Sequence, residues 1–403
     1  MRDHSASASL SPRLDELTDQ RSLAGPRFFE SESDRLARLC HRMAERFAGG
    51  GRLIALGRSP QARSDARHVA VEFVHPVIVG KRALPALALT SEGGSLEAQV
   101  ALLARAQDIV IAFGAREDGG EARRALALAR DRGCLTIAFA PAGAEWELEP
   151  PSAGAAIVQE LVETLYHVLW ELVHVFFEHR GLLEGRDERR VHDAGASSFL
   201  YPFLAEREDR LEPVLEDVRR SVLLKSEEIA RLREQTLGEN REVLIAAAGE
   251  LRERFERGGR LLALGNGGSA TDAMDVVADF RAPWPHGGVP RPAIDLTEDP
   301  AIITAIANDI GTDAIFSRQV IAYGMDDDAL LALSTSGNSS NVIEALAEAR
   351  RRGLFTIAMV GYDGGRVASE ELADHVVVTR SEHIPRIQEA QASAYHVLRE
   401  LVG

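Results

Sequence analysis

The sequence predicts an α/β protein built from two tandem copies of one domain, each a parallel sheet flanked by helices on both faces, a Rossmann- or flavodoxin-like three-layer sandwich. Three observations predict it. Short apolar runs such as Ile109–Phe113, Leu261–Leu264 and Ala329–Leu333 alternate with helix-length segments, the signature of buried strands joined by crossover helices. Two of those runs end in Gly/Ser loops that open a helix, GNGGS (Gly265–Ser269) and STSGNSSN (Ser334–Asn341). Long segments also recur. GGGRLIALG (Gly49–Gly57) returns as RGGRLLALG (Arg257–Gly265), Ala125–Ala140 as Ala345–Val360, and YHVLWELV (Tyr166–Val173) as YHVLRELV (Tyr395–Val402).

Taken in order, residues 1–12 are Ser/Ala-rich and are expected to be a disordered tail. The first copy follows over 13–180. Residues 181–205 are polar, Gly-bearing and broken by Pro202, as a linker should be. The second copy occupies 206–403 and begins with a stretch, 206–257, in which charged and apolar residues alternate at helical spacing. That pattern reads as two or three leading helices, either packing against a partner copy or presenting a solvated charged face.

Each Gly/Ser loop sits at the carboxyl end of a strand, where parallel sheets bind ligands. Free backbone N–H groups, hydroxyls and the helix dipole converge there on an anion. The pair of loops describes a pocket for a phosphorylated sugar, and no nucleotide cofactor is expected. The formal charge of -16, with no basic stripe, excludes a phosphate-backbone reader, so no direct nucleic-acid binding is expected. Cys40 and Cys134 are too few for a disulfide framework, and neither a signal peptide nor a run of apolar residues long enough for a membrane span stands out. A cytoplasmic protein, with no membrane contact, is the expectation.

Beyond these features, the second copy resembles the sugar isomerase (SIS) superfamily, and within it the phosphoheptose isomerases. The resemblance is carried by GNGGSATDAM (Gly265–Met274), AIANDIGTDAIFSR (Ala305–Arg318), STSGNSSNVI (Ser334–Ile343) and RIQEAQASAYHVL (Arg386–Leu398). It covers most of 235–403; the first copy resembles the family in framework only and is degenerate. The resemblance implies an aldose–ketose isomerase converting sedoheptulose 7-phosphate or a similar sugar phosphate through an enediol. Carried over, Asn266, Gly267, Gly268 and Ser269 line the sugar, Ser334, Thr335, Ser336 and Ser339 take the phosphate, Asn308 and Asp309 hold hydroxyls, and Gln388 completes the substrate site. It also implies a symmetric homo-oligomer, here a dimer of tandem chains equivalent to a tetramer of single domains.

In the family a His and a Glu four apart, and a Gln and a His eight apart, hold zinc. In the second copy these positions read Asp275, Asp279, Gln388 and His396. Asp279, in the place of the family's glutamate base, and His396 are the implied catalytic pair, although the shorter carboxylate withdraws the base by somewhat more than ~1 Å, enough to cost about a hundredfold. Asp275 and Asp279 read equally as carboxylates solvating a helix face. The first copy keeps every ligand type at His68, Glu72, Gln159 and His167, with Glu72 and His167 as an alternative catalytic pair, while Gly57–Pro60 and Gly114–Gly119 replace the phosphate loops.

Two functions therefore stand open. One is the isomerase, its two copies either sharing one site or keeping separate ones. The other is a phosphosugar-binding regulatory or protein-interaction module without turnover. Isolated histidines such as His174 and His179 read as structural or exposed rather than as ligands.

Overall fold

A computed structural model describes residues 4–77, 81–90, 93–116, 118–151, 154–178, 210–283 and 288–403. The linker expected over 181–205, and His179, lie outside the described residues. The chain divides into two compact units. One comprises Met1–Leu23, Ala153–Glu160 and Ile229–Gly403, the other Ala24–Ser152 and Leu161–Glu228; they are called here the C-terminal and N-terminal units after their sheets.

The N-terminal unit has strands β1 (Leu53–Leu56), β2 (Ala86–Leu89), β3 (Ile109–Ala112), β4 (Leu135–Ala138) and β5 (Trp146–Glu147), all parallel, in the order β2-β1-β3-β4-β5. Leu53 registers with Ala86 on one side and Ile109 on the other. Every residue of β1, β3 and β4 is buried, which explains their unbroken apolar character: a sheet covered on both faces has no solvent side on which to place polar residues. Helices α1 (His4–Ala48), α2 (Pro60–Val74), α3 (Leu96–Leu103), α4 (Glu121–Asp131) and α5 (Ala155–Glu178) accompany these strands in the chain.

The C-terminal sheet repeats that order with β6 (Leu261–Gly265), β7 (Ala293–Asp295), β8 (Ala329–Ser334), β9 (Phe355–Gly361) and β10 (His375–Thr379) arranged β10-β9-β8-β6-β7. Its helices are α6 (Leu211–Glu239), α7 (Arg241–Glu256), α8 (Gly268–Arg281), α9 (Pro300–Asp309), α10 (Ser317–Tyr323), α11 (Ser340–Arg351), α12 (Gly365–Ser369) and α13 (Ile384–Val402). The two-residue period of a strand divides its core cleanly. Leu261, Ala263, Leu331 and Leu333 face one apolar layer, with α13 residues such as Leu398 and Leu401. Leu262, Leu264, Leu330 and Ala332 face the other, with Leu346 of α11. The sheet is thus the middle of three layers, as expected, and the identical strand order is structural evidence of the repeat.

The expected helices of 206–257 are two over the described part, α6 and α7, separated at Asn240. Its side chain donates to the carbonyls of Thr236 and Val378 and accepts from the Val378 N–H, which fixes the bend against edge strand β10. Residues 4–12 correct an expectation: they are the start of α1 rather than a disordered tail. The reason is apolar spacing hidden among serines. Leu14 and Leu17 are buried in the C-terminal core with Leu10 against it, and Arg241 bonds Ser11 and Asp15. Both cysteines are buried and free.

Candidate functional site

The strand order turns back between β6 and β8, and at their carboxyl ends the two predicted loops meet. Gly265 lets β6 fold tightly over the start of α8, since a Cβ there would fall 2.2 Å from the Ser269 carbonyl oxygen. Asn266 and Asn341 then bind each other reciprocally, each amide nitrogen 2.9 Å from the other's oxygen. This pair ties the first loop to the second.

In the second loop, Gly337 has φ +62 and a Cβ there would lie 2.2 Å from the Gly364 carbonyl, so only glycine fits. Its N–H donates to Ser334 Oγ at 3.2 Å, and Ser334 Oγ stands 3.5 Å from Ser339 Oγ. Ser339 is the N-cap of α11 but makes no side-chain cap hydrogen bond. Hydroxyls and helix N–H groups are therefore present together, with Thr335 and Ser336 half-buried beside them. Such an arrangement suits an anion. Gly267 is the N-cap of α8, Gly268 its first residue, and Ser269 is buried behind them. Asn308 and Asp309 lie at the exposed end of α9, where the Asn308 amide donates to Asp309 Oδ1 at 2.7 Å.

Below the loops, α8 and α13 carry the predicted acid–base residues. Asp275 and Asp279 are buried, so neither solvates a helix face. Tyr395 donates to Asp275 Oδ2 at 3.5 Å. His396 Nε2 is 3.2 Å from Asp279 Oδ2, and its Nδ1 is 3.0 Å from Glu160 Oε1. Burial opposes the charge on His396, but the bonds to Asp279 and Glu160 prevail and raise its pKa to about 10. Glu160 is held down to about 2 against its own burial, chiefly by Arg21, then by His396. Arg21 Nε donates to Glu160 Oε1 at 2.9 Å and Ser393 Oγ to Oε2 at 2.6 Å. His396 is a buried imidazolium between two carboxylates. Gln388 is buried two turns earlier on α13.

The N-terminal unit brings a different set together. Ligand atoms of His68, Glu163 and His167 all lie within 4.8 Å of one another, and each residue is buried. His68 Nε2 is 3.8 Å from Glu72 Oε1, and His68 Nδ1 is hydrogen-bonded to the Tyr166 hydroxyl at 3.0 Å. Burial, then the neighbouring His167, holds His68 well below the ordinary imidazole pKa. Burial pushes Glu72 up to about 7, and its Oε2 has no hydrogen-bond partner. Gln159 is not part of this cluster's unit: Ala153–Glu160 group with the C-terminal sheet. Among the described residues, Asp275, Asp279 and His396 form no comparable group of three.

One turn past His167, Glu171 receives both lysines of the chain, which has 46 Lys and Arg together. Lys225 forms an ion pair with its carboxylate, and Lys81 donates to its carbonyl at 3.2 Å. His174 has its ring nitrogens 2.8 and 2.9 Å from the carbonyls of Trp170 and Arg82, a structural role as read from sequence. Where the second copy offers an open helix terminus, the first supplies its own acid. Asp118 accepts from the N–H groups of Gly120 and Ala122 at the start of α4, and Glu121 accepts from Leu96 N–H and pairs with Arg58.

Sequence reasoning missed Glu160, Glu163 and Asp118. A signal existed for the first two. Helix α5 is otherwise so apolar that its carboxylates had to be buried, and a buried carboxylate needs partners.

The SIS domain family matches residues 226–361. Phosphoheptose isomerase of Chlorobaculum tepidum is 44% identical over 177 residues, 43% of this chain and 83% of that relative. The C-terminal domain of glucosamine-fructose-6-phosphate aminotransferase from Francisella tularensis superposes with a TM-score of 0.59 at 9% identity, covering 96% of this chain and 95% of its own. Tagatose-6-phosphate ketose/aldose isomerase from Escherichia coli gives 0.58 at 13% identity, over 96% and 93%. These two likenesses are of fold alone, and they extend over both units. Among the described residues, no helix is long and apolar enough to cross a membrane.

Proposed function

The chain belongs to the SIS-domain family, and from that membership we propose that its C-terminal unit interconverts the aldose and ketose forms of a sugar phosphate of the sedoheptulose 7-phosphate kind. The observation that carries this reading is His396, clamped between Asp279 and Glu160 in the same unit as the paired Ser/Asn loops. The loop Ser334–Ser339 and the start of α11 take the phosphate. Asn266 is available to sugar hydroxyls.

The chemistry needs a proton removed from the carbon next to a carbonyl and returned to the neighbouring carbon. Asp279 is the base. The charged His396 donates through Nε2 to the carbonyl oxygen, so the enediol forms without an isolated alkoxide, and Glu160 keeps the ring charged and oriented. Asp279 returns its proton to the adjacent carbon, and the hydroxyl on the carbon first deprotonated gives its proton to His396 Nε2 as that carbon becomes the new carbonyl, so both side chains end as they began and the exchange is redox-neutral. Among the described residues Asp275, Asp279 and His396 form no group of three donors, and the steps above use these side chains alone.

The test is conversion of sedoheptulose 7-phosphate followed by proton NMR. Asp279→Asn and His396→Gln should each lower kcat about 10²- to 10⁴-fold, with sugar-phosphate binding retained by calorimetry. Tight binding with no aldose formed at saturation would overturn the isomerase. It would support a second reading, a sugar-phosphate-responsive module, which the short reach of Asp279 favours.

A further inference from the structure

We propose that Arg399 is a positioning residue for Asp279, holding the backbone of the last turn of α8 so that a short carboxylate stays on His396. Its effect on turnover rests on the isomerase reading; its geometry does not. Helix α13 grips Asp279 at two points. His396 Nε2 stands 3.2 Å from Asp279 Oδ2, and one turn further along Arg399 Nε donates to the Asp279 carbonyl at 3.0 Å. Residues at i and i+3 share one helix face, so a single element meets both the side chain and the backbone of Asp279.

The grip falls where α8 is weakest. The helix ends at Arg281, which makes the Asp279 carbonyl one of the last four, without a partner inside the helix. The carbonyls on either side are satisfied by main chain: Ala278 accepts from Ala282 N–H and Phe280 from Arg291 N–H. At Asp279 the donor is a side chain. The same guanidinium donates through Nη2 to the Val289 carbonyl at 3.2 Å and lies 5.3 Å from the centre of the Phe280 ring. One cation thus ties the helix end, the aromatic next to Asp279 and the returning chain, at a terminus where the helix dipole favours positive charge. Arg399 is fully buried, a costly placement unless its donors are used. Burial lowers its pKa, and the charge of Asp279 is the chief influence acting the other way.

The repeat supplies an independent observation. Tyr166–Val173 aligns with Tyr395–Val402, which puts Trp170 in the place of Arg399, and Glu72 stands in the place of Asp279. The first copy therefore joins the longer carboxylate to an uncharged indole, and the second joins the shorter one to an arginine. A carboxylate drawn back by one methylene is compensated by a backbone held toward the helix that carries its partner.

The full chain labelled with nitrogen-15 histidine is read by NMR, with turnover of sedoheptulose 7-phosphate measured in parallel; His396→Gln identifies the His396 ring signals. In natively folded Arg399→Met the Nε2 signal should shift, its proton should exchange faster, and kcat should fall about 10- to 100-fold with KM unchanged. Arg399→Lys, which keeps the charge and one donor, should lie between. Adding Asp279→Glu to Arg399→Met should restore the signal and recover most of kcat, a coupling that a double-mutant cycle isolates. Should Arg399→Met not fold, Arg399→Trp, matching the first copy, takes its place in the same cycle. A folded variant in which only the thermal midpoint falls, with His396 signals and kcat unchanged, would overturn the proposal, as would a longer carboxylate that restores nothing. Wild-type protein without turnover would instead remove the isomerase reading, and the NMR arm would still decide on Arg399.

Discussion

At the scale of single residues, the decisive feature of the C-terminal unit is an imidazolium sealed away from water. Its charge survives because Asp279 and Glu160 flank it. The pH consequence has a definite sign. His396 is raised from 6.5 to about 10, so its contribution to stability is complete below pH 6.5 and is lost as pH rises through about 10. Glu160 is lowered from 4.5 to about 2, so its contribution is complete above pH 4.5 and is lost as pH falls through about 2. Both are faces of one interaction, largest between pH 4.5 and 6.5. Urea unfolding of the full chain at pH 6 and pH 9 should show a fall in stability, flattened in His396→Gln; an equal fall in that variant would remove His396 as its source. Much of this cluster was legible. The family resemblance pointed to Asp279 and His396, since each keeps its place relative to the quoted motifs on its own helix. Glu160 was not legible, because it reaches His396 from 236 positions away, and only packing brings them together.

At the scale of the element, the two copies differ in what fills the start of one helix. Helix α11 begins with an uncapped Ser339, whereas the amides that start α4 are taken by Asp118. Removing that cap by Asp118→Ala should destabilise the chain by about 1 kcal/mol and leave sugar-phosphate affinity unchanged; a changed affinity in calorimetry would contradict the assignment. In the second copy, Gly337→Ala meets both a positive φ and the Gly364 carbonyl. It should cost on the order of 1–3 kcal/mol and weaken sugar-phosphate binding at least tenfold, where wild-type affinity would show the loop to be idle. The Ser334–Ser339 loop was readable as a loop because its glycine is set by backbone geometry that the sequence must satisfy locally. Asp118 was hidden because a capping acid in a loop resembles any other turn residue.

At the scale of the whole molecule, duplication has preserved the strand order of both sheets while dividing their chemistry. With the Ser334–Ser339 loop proposed to take the phosphate and Asp118 bonded to the amides at the start of α4 in the other copy, calorimetry with a sugar phosphate should give one site per chain. Two equivalent sites would show that Asp118 yields its place to the ligand. The repeat and the α/β architecture were legible because buried parallel strands need unbroken apolar runs and the copies retained theirs. The helical start of the chain was not, because serines and alanines carry little periodic signal and the leucines between them act only once a core is present to receive them.

The convergence of Lys81 and Lys225 on Glu171 gives the molecule an unusual chemical economy. In a chain whose other basic side chains, histidine aside, are all arginine, reagents selective for amines find internal targets only beside the buried histidine cluster. Reductive methylation with carbon-13 would therefore place two isotopic reporters on the N-terminal unit and none elsewhere except the chain's own amino end. The two reporters could then be followed, signal by signal, while sugar phosphate is added to the sample.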